Sequence, residues 1–505
     1  MLLQVRTENG MVEGLEAADP RITSFKGIPF AAAPIGEKRW RAPQPAENWE
    51  GVLKAYRFAP ISMQNPPGTD PKNLYTKEWN VNPKIVMSED CLYLNVWTPA
   101  VSPEDNLPVY VWFFGGGFQS GNTAEMEFDG ERLARRGIIV VTVNYRLNVF
   151  GFLAHPMLTA EQPDTPTNFG HLDQQAGIKW VKRNIRAFGG NPDRITIGGQ
   201  SAGGGSVMMH VASPQSKDLF QGAIVDSGAL HHPCPELWVR MVRSMKDAET
   251  QGEEFFKFAG IHSLEEGRNM DAAVLLEKYN GFHGLFTSVI DGKFGVGDPV
   301  MQVSRNQCMQ VPILSGNTTT EFRFAFPEEN TEEYIRKTVG DYAQEYIACC
   351  KEKMRESALQ MHSLAEASEM ALIEYSVRLM FEGALKNGNK QGHYYYVFDP
   401  DIPGSDHPGT FHSSDLWFWF ETLAKCWRPF CGRHYDLSRM MCNYWANFIK
   451  SGNPNGLDAD GMPMPIWNTY SEETPACMMM TQNGPVPTVS PASAPMRILL
   501  EATFS

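Results

Sequence analysis

The chain has 505 residues and a formal net charge of -14, and it contains no cluster of lysine or arginine residues. Nucleic-acid binding depends on neutralising phosphates, so this acidic balance argues against a nucleic-acid partner. With 42% hydrophobic residues the chain can bury a sizeable core, but no apolar run reaches about eighteen residues, so we expect no membrane-spanning helix.

Strand-like runs alternate with helical or loop stretches along the whole chain. This alternation favours an α/β fold with a large, mainly parallel central sheet covered by helices on both faces. The predicted strands are 92–97, 108–114, 138–143, 194–198, 221–226, 311–315 and 393–398. The first ten residues lack a basic start and a long apolar core, so we predict a first strand there and no signal peptide.

Two longer helical stretches, about 236–285 and 330–388, are rich in Glu, Lys, Met and Ala. We expect these insertions to roof an active-site cleft. Their charges are typical of solvent-exposed helix faces and indicate no partner. Because the candidate catalytic groups are spread from residue 116 to residue 412 and must converge, we predict a single domain over residues 1–505.

A glycine-rich loop follows the predicted strand 108–114. Its glycines allow the backbone to turn N–H groups inward, which is how hydrolases of this arrangement bind an oxyanion. Gly116 and Gly117, together with the amide of Ala202, are therefore the candidate oxyanion donors.

The segment Ile195–Gly204 sets G-x-S-x-G between an apolar strand and a helix that begins with small residues. This order of strand, turn and helix is typical of a nucleophile elbow. Gly199 and Gly203 would keep Cβ atoms away from the crossing strand and helix. We therefore predict that Ser201 points its hydroxyl into a cleft as the nucleophile.

The carboxylate that orients the base should follow the nucleophile in the chain. The predicted strand 311–315 leads into a polar loop that contains Glu321, our candidate for this acid. Asp291 and Glu328 are its competitors.

The histidine should come last, which excludes most of the twelve histidines. His412 lies in a loop that opens the aromatic segment 417–420, and it is the candidate general base. His407 and His434 are its rivals.

Several motifs in register give the chain a resemblance to the type B carboxylesterase family, which includes cholinesterases and bacterial para-nitrobenzyl esterases. Ser88–Pro99 is similar to one signature of that family, and Gly189–Thr196 with the elbow resembles another. Further matches are Phe25–Ala31, Asn144–Leu147, Leu172–Gln174 and Tyr444–Pro454. The resemblance implies an α/β-hydrolase fold and hydrolysis of carboxylic esters.

The resemblance also implies roles for particular residues. Glu321 and His412 correspond to the catalytic acid and base of the family, and Gly116 and Gly117 to its oxyanion glycines. Ser227 corresponds to a second serine that supports the acid.

The resemblance further implies two structural ion pairs, Arg39 with Glu89 and Arg146 with Asp173. If buried, each pair would cost roughly 3–5 kcal/mol to break by removing one partner, because the other charge would stay buried.

The chain departs from the family pattern at Gln200 and in the spacing of Trp79. Gln200 stands before Ser201 where the family usually has a glutamate, which removes a negative charge beside the nucleophile. Trp79 lies near the position of the cation-binding tryptophan of cholinesterases, but its spacing to the next signature differs. Both departures favour small to medium uncharged esters over a choline-like substrate.

A third departure concerns Cys91, which occupies a position that forms a disulfide in secreted relatives, while its partner position holds Ser62. The nine cysteines show no metal-ligand spacing, so we predict reduced thiols, a cytoplasmic location and no metal.

The sequence therefore predicts a serine esterase that needs no cofactor and acts on a small-molecule ester. Two alternatives use the same scaffold: a non-catalytic binding or adhesion homologue, and a thioesterase or amidase with the same triad. Phe114, Phe118, Trp417 and Trp419 are near the motifs, and we assign none of them to the substrate.

Overall fold

A computed structural model describes residues 1–65, 72, 74–79, 84–234, 241–356 and 361–504. The strands, in chain order, are β1 (Gln4–Arg6), β2 (Met11–Glu13), β3 (Leu15–Glu16), β4 (Thr23–Pro29), β5 (Val52–Lys54), β6 (Tyr93–Thr98), β7 (Leu107–Phe113), β8 (Ile139–Val143), β9 (Gly190–Gln200), β10 (Gly222–Asp226), β11 (Val242–Ser244), β12 (Ser288–Ile290), β13 (Ile313–Thr318), β14 (Arg323–Phe324), β15 (Met370–Ala371), β16 (His393–Asp399), β17 (Ala476–Thr481) and β18 (Gly484–Val489).

The α-helices are α1 (Leu74–Glu78), α2 (Glu131–Ala134), α3 (Asn148–Phe152), α4 (Pro156–Glu161), α5 (Phe169–Asn184), α6 (Ala202–Ala212), α7 (Met245–Ala259), α8 (Leu264–Asn269), α9 (Ala272–Gly281), α10 (Pro299–Ser304), α11 (Thr331–Val339), α12 (Ala343–Glu356), α13 (Leu364–Ala367), α14 (Leu372–Lys386), α15 (Leu416–Trp419), α16 (Gly432–Ser451) and α17 (Ala494–Phe504). Short 3₁₀ turns cover Gly36–Lys38, Met126–Phe128, Ile185–Phe188, Pro214–Ser216, Gly340–Tyr342 and Leu423–Lys425.

The central sheet has eleven strands in the order β18-β17-β16-β13-β10-β9-β7-β8-β6-β4-β3. Neighbours from β17 to β8 run parallel, and antiparallel pairs close both sides. All the strands predicted above are present, and the α/β-hydrolase fold class is confirmed. The amino-terminal strand β1 belongs to a separate three-stranded sheet with β2 and β5.

Both faces of the central sheet are buried. Successive side chains of a strand point to opposite faces, so neighbouring residues of one strand belong to different core clusters. In β7, Val109 and Val111 belong to the core cluster that includes residues of α5, α6, α10 and α14, whereas Tyr110 and Trp112 belong to the cluster that includes residues of α15 and α16. This two-sided burial explains why the parallel strands are continuous apolar runs.

Strand register brings the functional segments to one edge. Asp226 at the end of β10 pairs with Gln200 at the end of β9 and with Gly316 of β13. Parallel strands end at the same side of a sheet, so the turn after β9, the turn after β10 and the loop after β13 meet there.

The two insertions are helical, with α7 to α9 in the first and α11 to α14 in the second. The start of the first, residues 236–240, lies outside the described residues. The second packs mainly on α10 and α17 beside the sheet.

Both structural ion pairs implied by the family resemblance are present, and the arginine of each pair is buried. Arg39 binds the Glu89 carboxylate through two hydrogen bonds of 2.6 Å, and it also donates to the carbonyl oxygens of Gly267 and Met270 near the end of α8. Arg39 therefore ties the first insertion to the loop before β6.

The second pair joins the loop after β8 to α5. Arg146 binds Asp173 through hydrogen bonds of 2.7 and 2.6 Å, and both side chains are at most 3% exposed.

At the cysteine position discussed above, Cys91 is a free, buried thiol, and Ser62 accepts a hydrogen bond from the Leu147 N–H.

Candidate active site

The turn between β9 and α6 holds Ser201 in a conformation that is rare for a residue with a side chain, with φ 56° and ψ −125°. The end of β9, the start of α6 and the end of β7 pack closely here. A Cβ on Gly199 would lie 2.4 Å from Gly203, and a Cβ on Gly203 would lie 2.1 Å from the Phe113 carbonyl oxygen. Only glycine fits at these two positions, which explains the G-x-S-x-G spacing.

The Glu321 carboxylate is buried and well supplied with donors. Its Oε1 accepts hydrogen bonds of 2.8 Å from the Ser227 hydroxyl and from the Thr318 N–H. Its Oε2 is hydrogen-bonded to His412 Nδ1. Three hydrogen bonds thus fix the position of this carboxylate.

His412 lies between Glu321 and the cavity that contains Ser201. Because its Nδ1 faces the carboxylate, this nitrogen carries the proton and Nε2 is the acceptor. The Gln200 amide nitrogen lies 3.3 Å from Nε2 and 2.8 Å from the Ser413 hydroxyl, so it contacts the acceptor side of the ring. The Phe322 ring packs edge-on against the imidazole at 4.5 Å.

The competing acids lie elsewhere. Asp291 accepts hydrogen bonds from Asn168 and from backbone N–H groups of its own turn, and Glu328 is exposed.

The rival histidines also have other surroundings. His407 is exposed, and His434 bonds to the Cys431 N–H and faces the Asp401 carbonyl at the start of α16.

The two candidate oxyanion glycines, Gly116 and Gly117, line the cavity that contains Ser201. Gly116 has φ +101°, and a Cβ there would lie 2.2 Å from the Ser120 carbonyl oxygen, so the turn requires glycine. Gly117 has φ +64°, and within the described part of the chain no acceptor bonds its N–H or that of Gly116. Ala202 begins α6, where the first N–H groups lack helical acceptors.

Ser201 borders two pockets of very different size. The larger, about 660 Å³, is also lined by His412 and by Gly116 and Gly117; we call it the large cavity. Its aromatic lining consists of Tyr75, Trp79, Trp112, Phe128 and Phe322. The smaller, about 20 Å³, is mostly apolar; we call it the small pocket. Its described lining includes Phe118, Ala202, Leu230, Met241, Val242 and Val300.

The large cavity is walled mainly by loops at the carboxyl edge of the sheet. Of the described residues of the first helical insertion, only Met241 lines it, and no described residue of 330–388 does, so the predicted roofing of the cleft by these insertions is limited to Met241 in the part of the chain that the structure describes. Instead, α1 and the turn Met126–Phe128 form much of its wall. A separate cavity of about 890 Å³ contacts Gln221 and Pro312, at the opposite edge of the sheet.

A pair of buried acids, which the motifs did not reveal, lies next to the Ser227 and His412 segments. The Tyr396 hydroxyl lies 2.9 Å from Asp226 Oδ1 and 3.1 Å from Asp415 Oδ2. Burial raises the pKa of Asp415 to about 6, and burial beside Asp415 raises that of Asp226 well above its usual value. The pair therefore retains a proton near neutral pH and holds the end of β10 to the His412 loop.

Within the described residues there is no cluster of three or more His, Cys, Asp or Glu side chains suited to a metal ion. The helices of this part of the chain include none with the length and apolarity needed to cross a bilayer.

The sequence of the chain matches a known protein family. The model of the carboxylesterase family matches residues 2–490. The chain is 32% identical to the para-nitrobenzyl esterase of Bacillus subtilis, over 93% of both chains. It is 31% identical to the acetylcholinesterase of Bungarus fasciatus, over 94% of this chain and 82% of that one.

Solved structures show the same relationship. The Geobacillus stearothermophilus carboxylesterase EST55 superposes with a TM-score of 0.77 at 28% identity, covering 98% of this chain and 99% of the other.

Proposed function

The chain belongs to the carboxylesterase family, and from this premise we propose that it hydrolyses small to medium uncharged esters through a Ser201–His412–Glu321 triad and an acyl-enzyme intermediate. That it is a carboxylesterase follows from the family and its relatives. The observation that carries the proposed mechanism is the hydrogen bond between Glu321 and His412, whose imidazole lines the cavity that contains Ser201.

The proposed first step is attack of Ser201 Oγ on the ester carbonyl carbon. His412 Nε2 accepts the serine proton, and Glu321 holds the ring in the required tautomer and stabilises its positive charge. The amides of Gly116, Gly117 and Ala202 bind the negative oxygen of the tetrahedral intermediate; one such donor is worth about 2.7–4 kcal/mol of barrier.

Collapse of the intermediate breaks the bond to the alcohol, and His412 donates its proton to the departing oxygen. The same histidine then takes a proton from water, whose oxygen attacks the acyl-serine, and the second collapse returns the proton to Ser201. This cycle consumes one water and needs no cofactor.

The two pockets support an assignment of the two halves of the ester. His412 must reach the departing oxygen and lines the large cavity, so the alcohol group occupies that cavity. The acyl group then enters the small pocket, which at about 20 Å³ has room for only a short chain without rearrangement.

The experiment that tests this proposal is hydrolysis of para-nitrophenyl esters of increasing acyl length by the wild-type protein and by Ser201→Ala, both checked for folding. We expect wild-type turnover that favours short acyl chains, and no turnover by the variant. Equal activity of the two proteins would show that another residue is the nucleophile.

A second variant tests the pocket assignment. Val300 lines the small pocket but not the large cavity, so Val300→Ala should move the acyl preference to longer chains. It should leave the alcohol preference unchanged. A thioester and an amide with the same acyl group, tested on the wild type, then measure how far the activity extends to other leaving groups.

A further inference from the structure

The small pocket has one polar side chain in addition to that of Ser201. Among the described residues that line it, Ser288 supplies this second hydroxyl, and the others are apolar residues or glycine. Ser288 lies at the start of β12 and is only 1% exposed. A buried hydroxyl in a pocket for the acyl group can bond to a polar group of the substrate. The direction of its existing hydrogen bond therefore decides which polar group fits.

A chain of buried hydrogen bonds fixes that direction, and it begins at a carbonyl oxygen of α6. The Ser206 hydroxyl donates to the Ala202 carbonyl oxygen at 3.1 Å, which uses the single proton of this serine. The Ser206 oxygen accepts in turn from the Gln174 amide nitrogen at 2.9 Å. The amide oxygen of Gln174 is thus the atom that faces His171 Nδ1, at 3.0 Å.

The tautomer of His171 follows from this chain. An amide oxygen only accepts hydrogen bonds, so Nδ1 carries a proton. The ring is fully buried, and burial lowers its pKa to about 4, so near neutral pH the ring is uncharged and Nε2 is an acceptor. The Ser288 hydroxyl lies 2.7 Å from Nε2 and donates to it. Because Ser288 has no second proton, its oxygen can bond to a substrate only as an acceptor.

Aromatic rings hold His171 in this position. Phe294 stacks on the imidazole at 5.6 Å, and Phe118 and Phe152 pack edge-on against it at 5.5 and 5.1 Å. Phe118 also lines the small pocket, so the imidazole lies directly behind the wall of this pocket. If the Ser288 hydroxyl rotated away, Nε2 would have no donor in apolar surroundings, which is unfavourable. The acceptor character of Ser288 is therefore preorganised.

We propose that Ser288 selects esters whose acyl group carries a hydrogen-bond donor next to the carbonyl, and that the favoured substrates are esters of 2-hydroxy acids. The inference rests on the proposed function, because the acyl group must enter the small pocket, and it narrows the substrate class. The Ser288 oxygen accepts the proton of the substrate hydroxyl, whereas His171 acts through Ser288 as a positioning residue. At about 20 Å³ the pocket has room for one such small group.

The experiment compares two esters of one alcohol and nearly equal shape, 2-phenylethyl glycolate and 2-phenylethyl propionate, by the release of 2-phenylethanol. Their rates of alkaline hydrolysis correct for the intrinsic reactivity of the two carbonyl groups. In the wild type, the ratio of the kcat/KM values should exceed the alkaline ratio about tenfold, in favour of the glycolate. In Ser288→Ala the ratio should fall about tenfold, to the alkaline value.

A matched control removes a similar hydrogen bond elsewhere. Ser216 is buried and bonds to His210 Nδ1 at 2.9 Å, and it lines neither the small pocket nor the large cavity. Ser216→Ala should therefore keep the wild-type ratio.

His171→Leu tests the positioning role. The Ser288 hydroxyl loses its acceptor and becomes free to rotate, so the ratio should fall about threefold, less than in Ser288→Ala. A purely structural role of His171 would lower kcat/KM for both esters equally and leave the ratio unchanged.

A second pair of esters places the hydroxyl on the alcohol, 3-hydroxypropyl acetate and butyl acetate. Because the alcohol group occupies the large cavity, the ratio of their kcat/KM values should be the same in the wild type and in Ser288→Ala. A change in this ratio, with none in the glycolate ratio, would place the alcohol in the small pocket and overturn the inference.

A wild-type glycolate ratio equal to the alkaline ratio, or one that Ser288→Ala leaves unchanged, would also overturn the inference while the esterase activity stands. If Ser288→Ala does not fold, the comparison of the wild type with alkaline hydrolysis decides alone. If the wild type hydrolyses none of these esters, the proposed function fails and the inference fails with it.

Discussion

Glu321, which is bonded to His412 beside the large cavity, and the pair Glu125 and Glu127, which lines that cavity, have opposite hydrogen-bonding environments. Glu321 accepts hydrogen bonds from Ser227, Thr318 and His412. Glu127 accepts none from the described residues and contacts another acid. Burial alone opposes the charge of a carboxylate, and donors restore it. The comparison therefore separates a carboxylate whose two oxygens both have hydrogen-bond partners from a pair of acids that holds a proton.

Removing the charge at Glu321 should have the largest effect. Glu321→Gln keeps the shape but no longer fixes the His412 tautomer or stabilises its positive charge, so kcat should fall by about 10⁴-fold. Steady-state kinetics with para-nitrophenyl acetate provide the measurement. Glu328→Gln, at the exposed acid of the same region, is the control and should keep wild-type activity. A Glu321→Gln variant within tenfold of wild type would show that Glu321 does not orient the base.

Removing one donor from Glu321 should have a moderate effect. Ser227→Ala deletes a hydrogen bond to a charged group, and we expect kcat/KM to fall about tenfold. Ser315→Ala deletes a buried hydroxyl on the adjacent strand that bonds to the Val225 carbonyl oxygen instead. This control should change kcat/KM little, and equal losses in both variants would indicate a purely structural role for Ser227.

Replacing Glu127 should change the free energy of unfolding and its dependence on pH. Between pH 4.5, the ordinary pKa of a glutamate, and about 7, the unfolded chain has released protons that the native Glu125–Glu127 pair still holds. Native protein thus binds more protons than unfolded protein, and this pair lowers stability as pH rises through that range. Glu127→Gln can donate to Glu125, so the free energy of unfolding of this variant should rise relative to that of the wild type by up to about 1.4 kcal/mol per pH unit for each proton that the native pair retains.

Urea unfolding of wild type, Glu127→Gln and the exposed control Glu104→Gln at about pH 5 and about pH 7 measures this difference. The control should follow the wild type. If the difference in free energy of unfolding between Glu127→Gln and wild type is the same at both pH values, the pair has the same pKa values in the native and the unfolded chain, which contradicts this prediction.

The predicted parts of the fold are those that local patterns encode. The parallel strands are continuous apolar runs because both sheet faces are covered, and Gly199 and Gly203 occur where a Cβ would collide with backbone. The strand β17 was not predicted. Its core is the methionine run 478–480, and methionine lacks the branched side chain typical of strands.

The cavity was less predictable because its wall is assembled from distant segments. Trp417 and Trp419, next to the His412 motif, are core residues, whereas the cavity is lined by Trp79 and Trp112 from earlier in the chain. Glu127 resembles any surface acid in the sequence, and only the fold shows that it is buried without a donor. The roles of Ser201, Glu321 and His412 remain predictions that the contacts support.

The measurement that tests the central claim most directly is the intact mass of the protein quenched within the first turnovers of para-nitrophenyl acetate, followed by mapping of the modified peptide. We predict one acetyl group on Ser201 in the wild type, its accumulation in an initial burst of para-nitrophenol, and no adduct in Ser201→Ala. An acetyl group on another residue, or turnover without any adduct, would contradict a Ser201 acyl-enzyme.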